Sequence, residues 1–253
     1  EDRTRTFIIA MERTVVPENF SFRMTDEEYR VLEKIKNSIP VCYLADHADF
    51  ALGIVTGNNK KFLSAEKTEN SEMVLKGTDI CKYHINPVKQ YLRFEPEQFQ
   101  QVAPLEIYRA PEKLLYRFIS NQLVVAYDDR QMLSLNSCNI VIPKIDGMQI
   151  KYILAILNSS VSQFVYQKEF HSIKVLRAHM EHIPIPRVGK AIQNEIIAMT
   201  EPLICGMGKE AAETCQKRLD CRIMDLFRFS AEEQWIIRHA LSLIHISEPT
   251  RPY

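Results

Sequence analysis

Ala51-Leu52-Gly53-Ile54-Val55-Thr56-Gly57-Asn58-Asn59-Lys60-Lys61-Phe62 is the stretch on which the reading of this chain turns. Its first half is apolar and β-branched, as a buried strand requires. Its second half is turn chemistry, because Gly57-Asn58-Asn59 takes positive φ at little cost. Two lysines and an aromatic anchor follow. A strand ending in a flexible polar loop that carries Lys60 and Lys61 is a device for touching phosphate. The same residues also fit a solvated hairpin turn.

Outward from this stretch the chain alternates strand and helix signals. Upstream, Thr25-Asp26-Glu27-Glu28 is a helix start with acids facing the macrodipole. Tyr29, Leu32 and Ile35 follow at helical spacing, which predicts a helix over Asp26–Asn37 that Pro40 ends. Downstream, Phe50–Val55, Tyr91–Phe94, Leu114–Phe118, Leu123–Tyr127 and Asn139–Ile142 read as short strands, with a hairpin turn at Ser120-Asn121. Long crossovers are missing between several of them, so the sheet is expected to be mixed or antiparallel. Helical periods then take over. Gln149–Lys168 reads as one helix with Ser159 and Ser160 at its middle, and Lys190–Leu203 and Lys209–Phe227 as two more. Ser230-Ala231-Glu232-Glu233 is a capping box opening a last helix. The expected fold class is α+β: a sheet domain followed by a helical segment.

Several segments carry a resemblance in addition. Gly53–Phe62, Leu75-Lys76-Gly77-Thr78-Asp79-Ile80, Tyr91-Leu92-Arg93-Phe94, Ala110–Arg117, Tyr127-Asp128-Asp129 with Asn139–Pro143, Tyr152–Asn158 and Ile183-Pro184-Ile185-Pro186 occur in this order. In that order they resemble the TaqI-like C-terminal specificity domain, the target-recognition domain of adenine-specific DNA methyltransferases and of fused restriction-modification enzymes. The resemblance runs over about Leu44–Arg187. It implies double-stranded DNA as the partner. It also implies a methyltransferase domain upstream of Glu1, which would bind S-adenosyl-L-methionine in the parent enzyme. On this reading residues 1–24 are the remnant of that domain, with Phe7-Ile8-Ile9 as a leftover strand. Residues 25–187 are the recognition domain, 188–241 a helical segment, and 242–253 a tail without period that does not belong to the fold.

Composition bounds these expectations. The chain has 253 residues and a formal net charge of zero, so a nucleic-acid site must be a local patch and not a global field. Between Asn58 and Arg93 seven basic residues face four acidic ones, a bias of the right sign. Six cysteines are scattered without a Cys-x-x-Cys pair, which reads as reduced thiols of a cytoplasmic protein. No apolar run is long enough to cross a membrane.

Catalytic chemistry is hard to find. Asn86-Pro87-Val88-Lys89 lacks the second proline and the aromatic of the Asn-Pro-Pro-Tyr motif that grips a flipped adenine. Gly206-Met207-Gly208 lies between helical patterns and not after a strand, so no cofactor loop is expected in this chain. His179 and His182, and Asp46, His47 and Asp49, lack the partners a metal site needs. Lys113 with Asp128-Asp129 is faintly nuclease-like but is followed by no acid-x-Lys. What remains is DNA contact: Lys and Arg for phosphate, Asn and Arg for base edges. The candidates are Asn58, Asn59, Lys60, Lys61, Lys76, Arg117 and Arg130. A recognition domain of a type I specificity subunit and a helical protein-interaction module stay open as alternatives. The continuous lead-in from Thr6 to Arg23 favours the fused arrangement.

Overall fold

The computed structural model describes residues 24–170 and 172–242. The expected strand at Phe7-Ile8-Ile9 and the tail beyond Ser242 lie outside them.

The chain opens with α1 (Asp26–Asn37). Thr25 and Glu28 form a reciprocal capping box there, and Val31, Leu32 and Ile35 are its buried stripe. β1 (Val41–Cys42), β2 (Ala48–Ala51), a single helical turn α2 (Asn59–Phe62), β3 (Leu63–Ser64), β4 (Ser71–Leu75) and β5 (Tyr91–Arg93) follow. Next come α3 (Leu105–Tyr108), β6 (Lys113–Arg117), β7 (Val125–Asp128), β8 (Leu133–Ser134) and β9 (Cys138–Pro143). The rest is mostly helical: α4 (Ile150–Asn158), α5 (Ser160–Glu169), α6 (Arg177–Glu181), the short strand β10 (Ile185–Pro186), α7 (Lys190–Cys205), α8 (Lys209–Leu226) and α9 (Ala231–Ser242).

Two four-stranded sheets carry the architecture. One has the order β2-β9-β6-β7 and is antiparallel throughout. The other has the order β3-β5-β4-β8, with β4 and β8 parallel. β1 pairs with β10, tying Val41-Cys42 to the far end of the sheet region. The fold is α+β, as expected.

Side-chain alternation explains how the layers stack. Along β6, Leu114 and Tyr116 point into a large core shared with the helices, whereas Leu115 points into a second core. Along β9, Val141 faces the helices while Cys138 and Ile140 face the other way; in β7, Val125 and Tyr127 oppose Ala126. The central sheet therefore has helices on one face and the second sheet on the other. The edge strand β7 is not left open. Asn158 accepts from Val125 N–H at 3.1 Å and donates to Val125 C=O at 2.8 Å, while Gln163 does the same for Leu123 at 2.9 and 3.0 Å. Two helix amides thus share the edge with Tyr83, whose N–H donates to Val125 C=O at 2.7 Å and whose C=O accepts from Tyr127 N–H at 3.1 Å.

Three sequence expectations need correction. The strand expected over Phe50–Val55 stops at Ala51. Gly53 releases the chain from β9, and Ile54 and Val55 then bridge to Leu135 and Gln101 on the second sheet's side. Gly57 has φ +75°, as the turn chemistry requires, but Asn59–Phe62 is helical and not a flexible loop. Asn58 caps that turn by accepting from Lys61 N–H at 3.2 Å. The single helix expected over Gln149–Lys168 is two. Ser159 is extended (φ −67°, ψ 158°), and its hydroxyl caps the second helix through Ser162 N–H. The apolar period runs through the break, which is why the sequence hides it.

Candidate nucleic-acid interface

Two glycines and one turn build the candidate site. The turn is Leu135–Cys138, closed by Cys138 N–H donating to Leu135 C=O at 2.7 Å. The segment after β2 runs along one side: Ile54 N–H donates to Ser134 C=O at 2.7 Å, and Asn136 N–H to Ile54 C=O at 3.1 Å. The segment after β4 runs along the other side, with Leu135 N–H donating to Leu75 C=O at 2.7 Å. Both approaches are too close for a side chain. A Cβ on Gly53 would sit 2.0 Å from Leu135 O, and one on Gly77 would sit 2.5 Å from Ser137 O. The two glycine-bearing stretches of the sequence thus meet on one turn.

A groove opens where they meet. Its middle is lined by Asn59, Lys60, Lys76, Gln90, Asn136 and Ser137. It continues on one side past Thr56, Gly57 and Gln100, sharing Asn59 and Asn136. On the other side it passes Asp79, Pro87 and Lys89, sharing Lys76 and Gln90. Lys60, Lys76 and Lys89 are exposed, and their ammonium groups make no hydrogen bond or ion pair among the described residues. The groove's one carboxylate among these residues, Asp79, is spent on Lys76 N–H at 2.9 Å. Asn59 Oδ1 accepts from Thr56 Oγ1 at 2.6 Å, which leaves its amide N–H groups outward. The amide oxygen of Gln90 is buried and unpartnered.

Of the seven sequence candidates, the structure brings Asn59, Lys60 and Lys76 into this groove. Asn58 is occupied as the cap of α2. The Lys61 ammonium turns away to Gln98 Oε1 at 2.6 Å and lies 4.8 Å from the Phe62 ring centre. Arg117 is a clamp: its guanidinium donates to Gly77 C=O at 2.9 Å and to Ile80 C=O at 2.6 Å, holding the β4 loop against β6. Arg130 is exposed and follows Asp128, at the end of the β6–β7 hairpin opposite Arg117. Gln90, Gln100, Asn136 and Ser137 were not among the candidates. They belong to no motif, and only the fold places them beside Asn59.

Two members of the nuclease-like trio, Lys113 and Asp128, are scaffold, while Asp129 is exposed. Lys113 and Asp128 form an ion pair at 2.5 Å with both side chains fully buried. Lys113 also donates to Tyr108 C=O at 2.6 Å, and Asp128 accepts from Arg130 and Met132 N–H, each at 2.9 Å. Burial lowers the Lys113 pKa, and the Asp128 charge opposes that fall. These bonds let the pair fix α3 to the hairpin and to the segment leading into β8. Beneath the turn, burial pushes the Cys138 thiol well above its ordinary range, which suits a core residue and not a nucleophile. Among the described residues no group of three His, Cys, Asp or Glu could hold a metal ion, and no helix is long and apolar enough to cross a membrane. Gly206 and Gly208 join α7 to α8 and follow no strand.

Comparison with known proteins bears on the same segment. No curated protein matches the chain. Among solved structures, a type I restriction-modification complex aligns with 14% identity over 85% of this chain and 51% of its own, at a TM-score of 0.44. The HsdS subunit of Thermoanaerobacter tengcongensis aligns with 16% identity over 85% of this chain and 50% of its own, at 0.42. The type IIL restriction-modification enzyme MmeI, solved with DNA, aligns with 10% identity over 75% of this chain and 34% of its own, at 0.46. The chain thus spans about half the length of the type I structures it matches. The family model of the TaqI-like C-terminal specificity domain matches residues 72–185. That match contains Lys76, Lys89, Gln90, Gln100 and Asn136, and starts after Asn59 and Lys60. The similarity to the TaqI-like C-terminal specificity domain thus covers residues 72–185 of this chain.

Proposed function

We propose that the groove binds duplex DNA and provides sequence recognition for an adenine-N6-specific DNA methyltransferase of a restriction-modification system. The observation that carries this reading is the meeting of three unpaired lysines and a row of amides in one groove, most of it inside a specificity-domain segment. Ammonium groups along a groove neutralise phosphates and fix register, while amides read base edges. The methyltransferase domain, with its S-adenosyl-L-methionine, belongs to the rest of the parent protein in this reading, and the cytoplasm is its compartment. Delivery of that domain as a separate subunit, as with a type I specificity subunit, would use the same groove. The α7–α8 helices that follow the sheet region would then be the joining element.

The test is a salt titration of duplex binding by the whole chain and by Lys60→Ala/Lys76→Ala/Lys89→Ala. Each phosphate-neutralising lysine adds about 0.9 to the slope of log affinity against log salt, so the triple variant should lose about 2.7. Between 50 and 200 mM salt, the wild type should lose roughly 40-fold more affinity than the variant. Lys61→Ala is the control: its ammonium is already held by Gln98, and its slope should stay within about 0.5 of wild type. An unchanged slope in the triple variant, or no duplex binding by the wild type, refutes the proposal.

A further inference from the structure

We infer that Asn136 is the residue that reads a base pair, by a two-point contact to the edge of an adenine in the major groove. The inference rests on the proposed duplex recognition and deepens it. Four observations converge on this side chain. Asn136 lines both the central cleft and the cleft beside Gly57, so it stands at the middle of the groove. It is exposed, and its amide has no hydrogen-bond partner among the described residues. Its backbone is held from both flanks, by Asn136 N–H to Ile54 C=O at 3.1 Å and Leu135 N–H to Leu75 C=O at 2.7 Å. The next residue is tied as well: Ser137 Oγ accepts from Gly77 N–H at 2.9 Å, and Ser137 C=O accepts from Phe118 N–H at 3.0 Å.

The neighbours divide the work. Asn59 has committed one lone pair of its amide oxygen to Thr56 Oγ1, so its side chain is already tied to the protein. Lys60 and Lys76 flank Asn136 in the same cleft as flexible point charges suited to phosphate. Asn136 combines a free amide donor and a free amide acceptor with a backbone held from both flanks. An asparagine amide matches the N6 donor and N7 acceptor of adenine. Rigid mounting is what makes such a contact selective, because the ordering cost is met by the fold.

The experiment starts by selecting bound sequences from a random duplex pool with the whole chain. Wild type, Asn136→Ala, Asn136→Asp and Lys76→Ala are then measured on the selected duplex and on every single-base-pair variant of it, at two salt concentrations. Asn136→Ala should lose discrimination at one A·T pair, a fall of roughly 5- to 150-fold on the selected duplex, with an unchanged salt slope. Asn136→Asp removes the donor and should move the preference at that pair toward C·G. Placing 7-deaza-adenine at that pair should weaken wild type by a similar factor and leave Asn136→Ala unaffected. Lys76→Ala should weaken all duplexes alike. A wild type that selects sequences alongside an Asn136→Ala variant with intact discrimination overturns this inference and leaves duplex recognition standing. A wild type that binds without selecting any sequence overturns both. Circular dichroism melting of each variant separates a lost contact from a lost fold.

Discussion

Replacing Asp128 by Asn should destabilise the chain by about 4 kcal/mol at neutral pH, although the side-chain shape is kept. Asp128 holds the fully buried Lys113 ammonium at 2.5 Å, and its two oxygens also serve the Arg130 and Met132 N–H groups. The amide keeps one oxygen acceptor and removes the countercharge. Breaking a buried pair by deleting one partner costs about 3–5 kcal/mol, because the remaining charge is uncompensated. A backbone N–H left without its acceptor adds about 1 kcal/mol, partly offset because Lys113 keeps its bond to Tyr108 C=O at 2.6 Å. The pH dependence follows with a definite sign. Burial already holds the folded Lys113 pKa below 10.5, and Asp128 props it up. Without Asp128 it falls further. A base whose folded pKa lies below its unfolded value gives stability that grows as pH rises between the two. The deficit of Asp128→Asn should therefore narrow as the solution is made alkaline. Urea titrations at pH 6, 7.5 and 9 measure it. A deficit below about 1 kcal/mol at pH 7.5, or one that widens with pH, would refute the account of this pair.

Gly53→Ala should cost roughly 2–3 kcal/mol and weaken duplex binding together. A Cβ 2.0 Å from Leu135 O must separate Ile54 from Ser134 and Asn136, two hydrogen bonds worth about 1 kcal/mol each. Gly147→Ala, at φ +76° with open space around it, is the comparison and should cost about 1 kcal/mol of backbone strain with binding intact; thermal melts and duplex anisotropy read both. With a thiol-reactive chromophore, the exposed Cys205 and Cys221 should react at once, and Cys42 and Cys138 only on unfolding, since burial both shields these thiols and raises them. Prompt reaction of Cys138 would mean that the turn above it opens in the native state.

Local chemistry was legible where it was self-contained. Thr25 and Glu28 cap α1, and Ser230 and Glu233 cap α9, because each box is spelled within four residues. The hairpin β6–β7 was legible from two β-rich runs around Ser120-Asn121. Partners far apart in sequence were not. β4 pairs with β8 across some sixty intervening residues, and nothing in Ser71–Leu75 announces it. The site divides the same way. Lys60 and Lys76 were visible because they stand in glycine-bearing motifs, Lys76 beside Gly77 and Lys60 three residues after Gly57. Arg117 looked equally suitable, but its guanidinium is consumed by the carbonyls of Gly77 and Ile80, a commitment that depends on a loop some forty residues away. Asn136 has no motif, and its position becomes meaningful only once both glycines close on its turn.

The groove floor is fastened by main-chain atoms, and this has a consequence for how the protein can be changed. Ile54, Leu75, Gly77 and Phe118 hold the turn through N–H and C=O groups, with the Ser137 hydroxyl as the one side-chain fastening among these contacts. The exposed side chains at Gln100 and Asn136 therefore carry almost no weight in folding, and exchanges there should stay within about 0.5 kcal/mol of the parent. Address and chassis are separable. A library randomised at these two positions should yield mostly folded proteins that differ in what they bind, whereas one randomised at Gly53 and Gly77 should yield mostly unfolded ones.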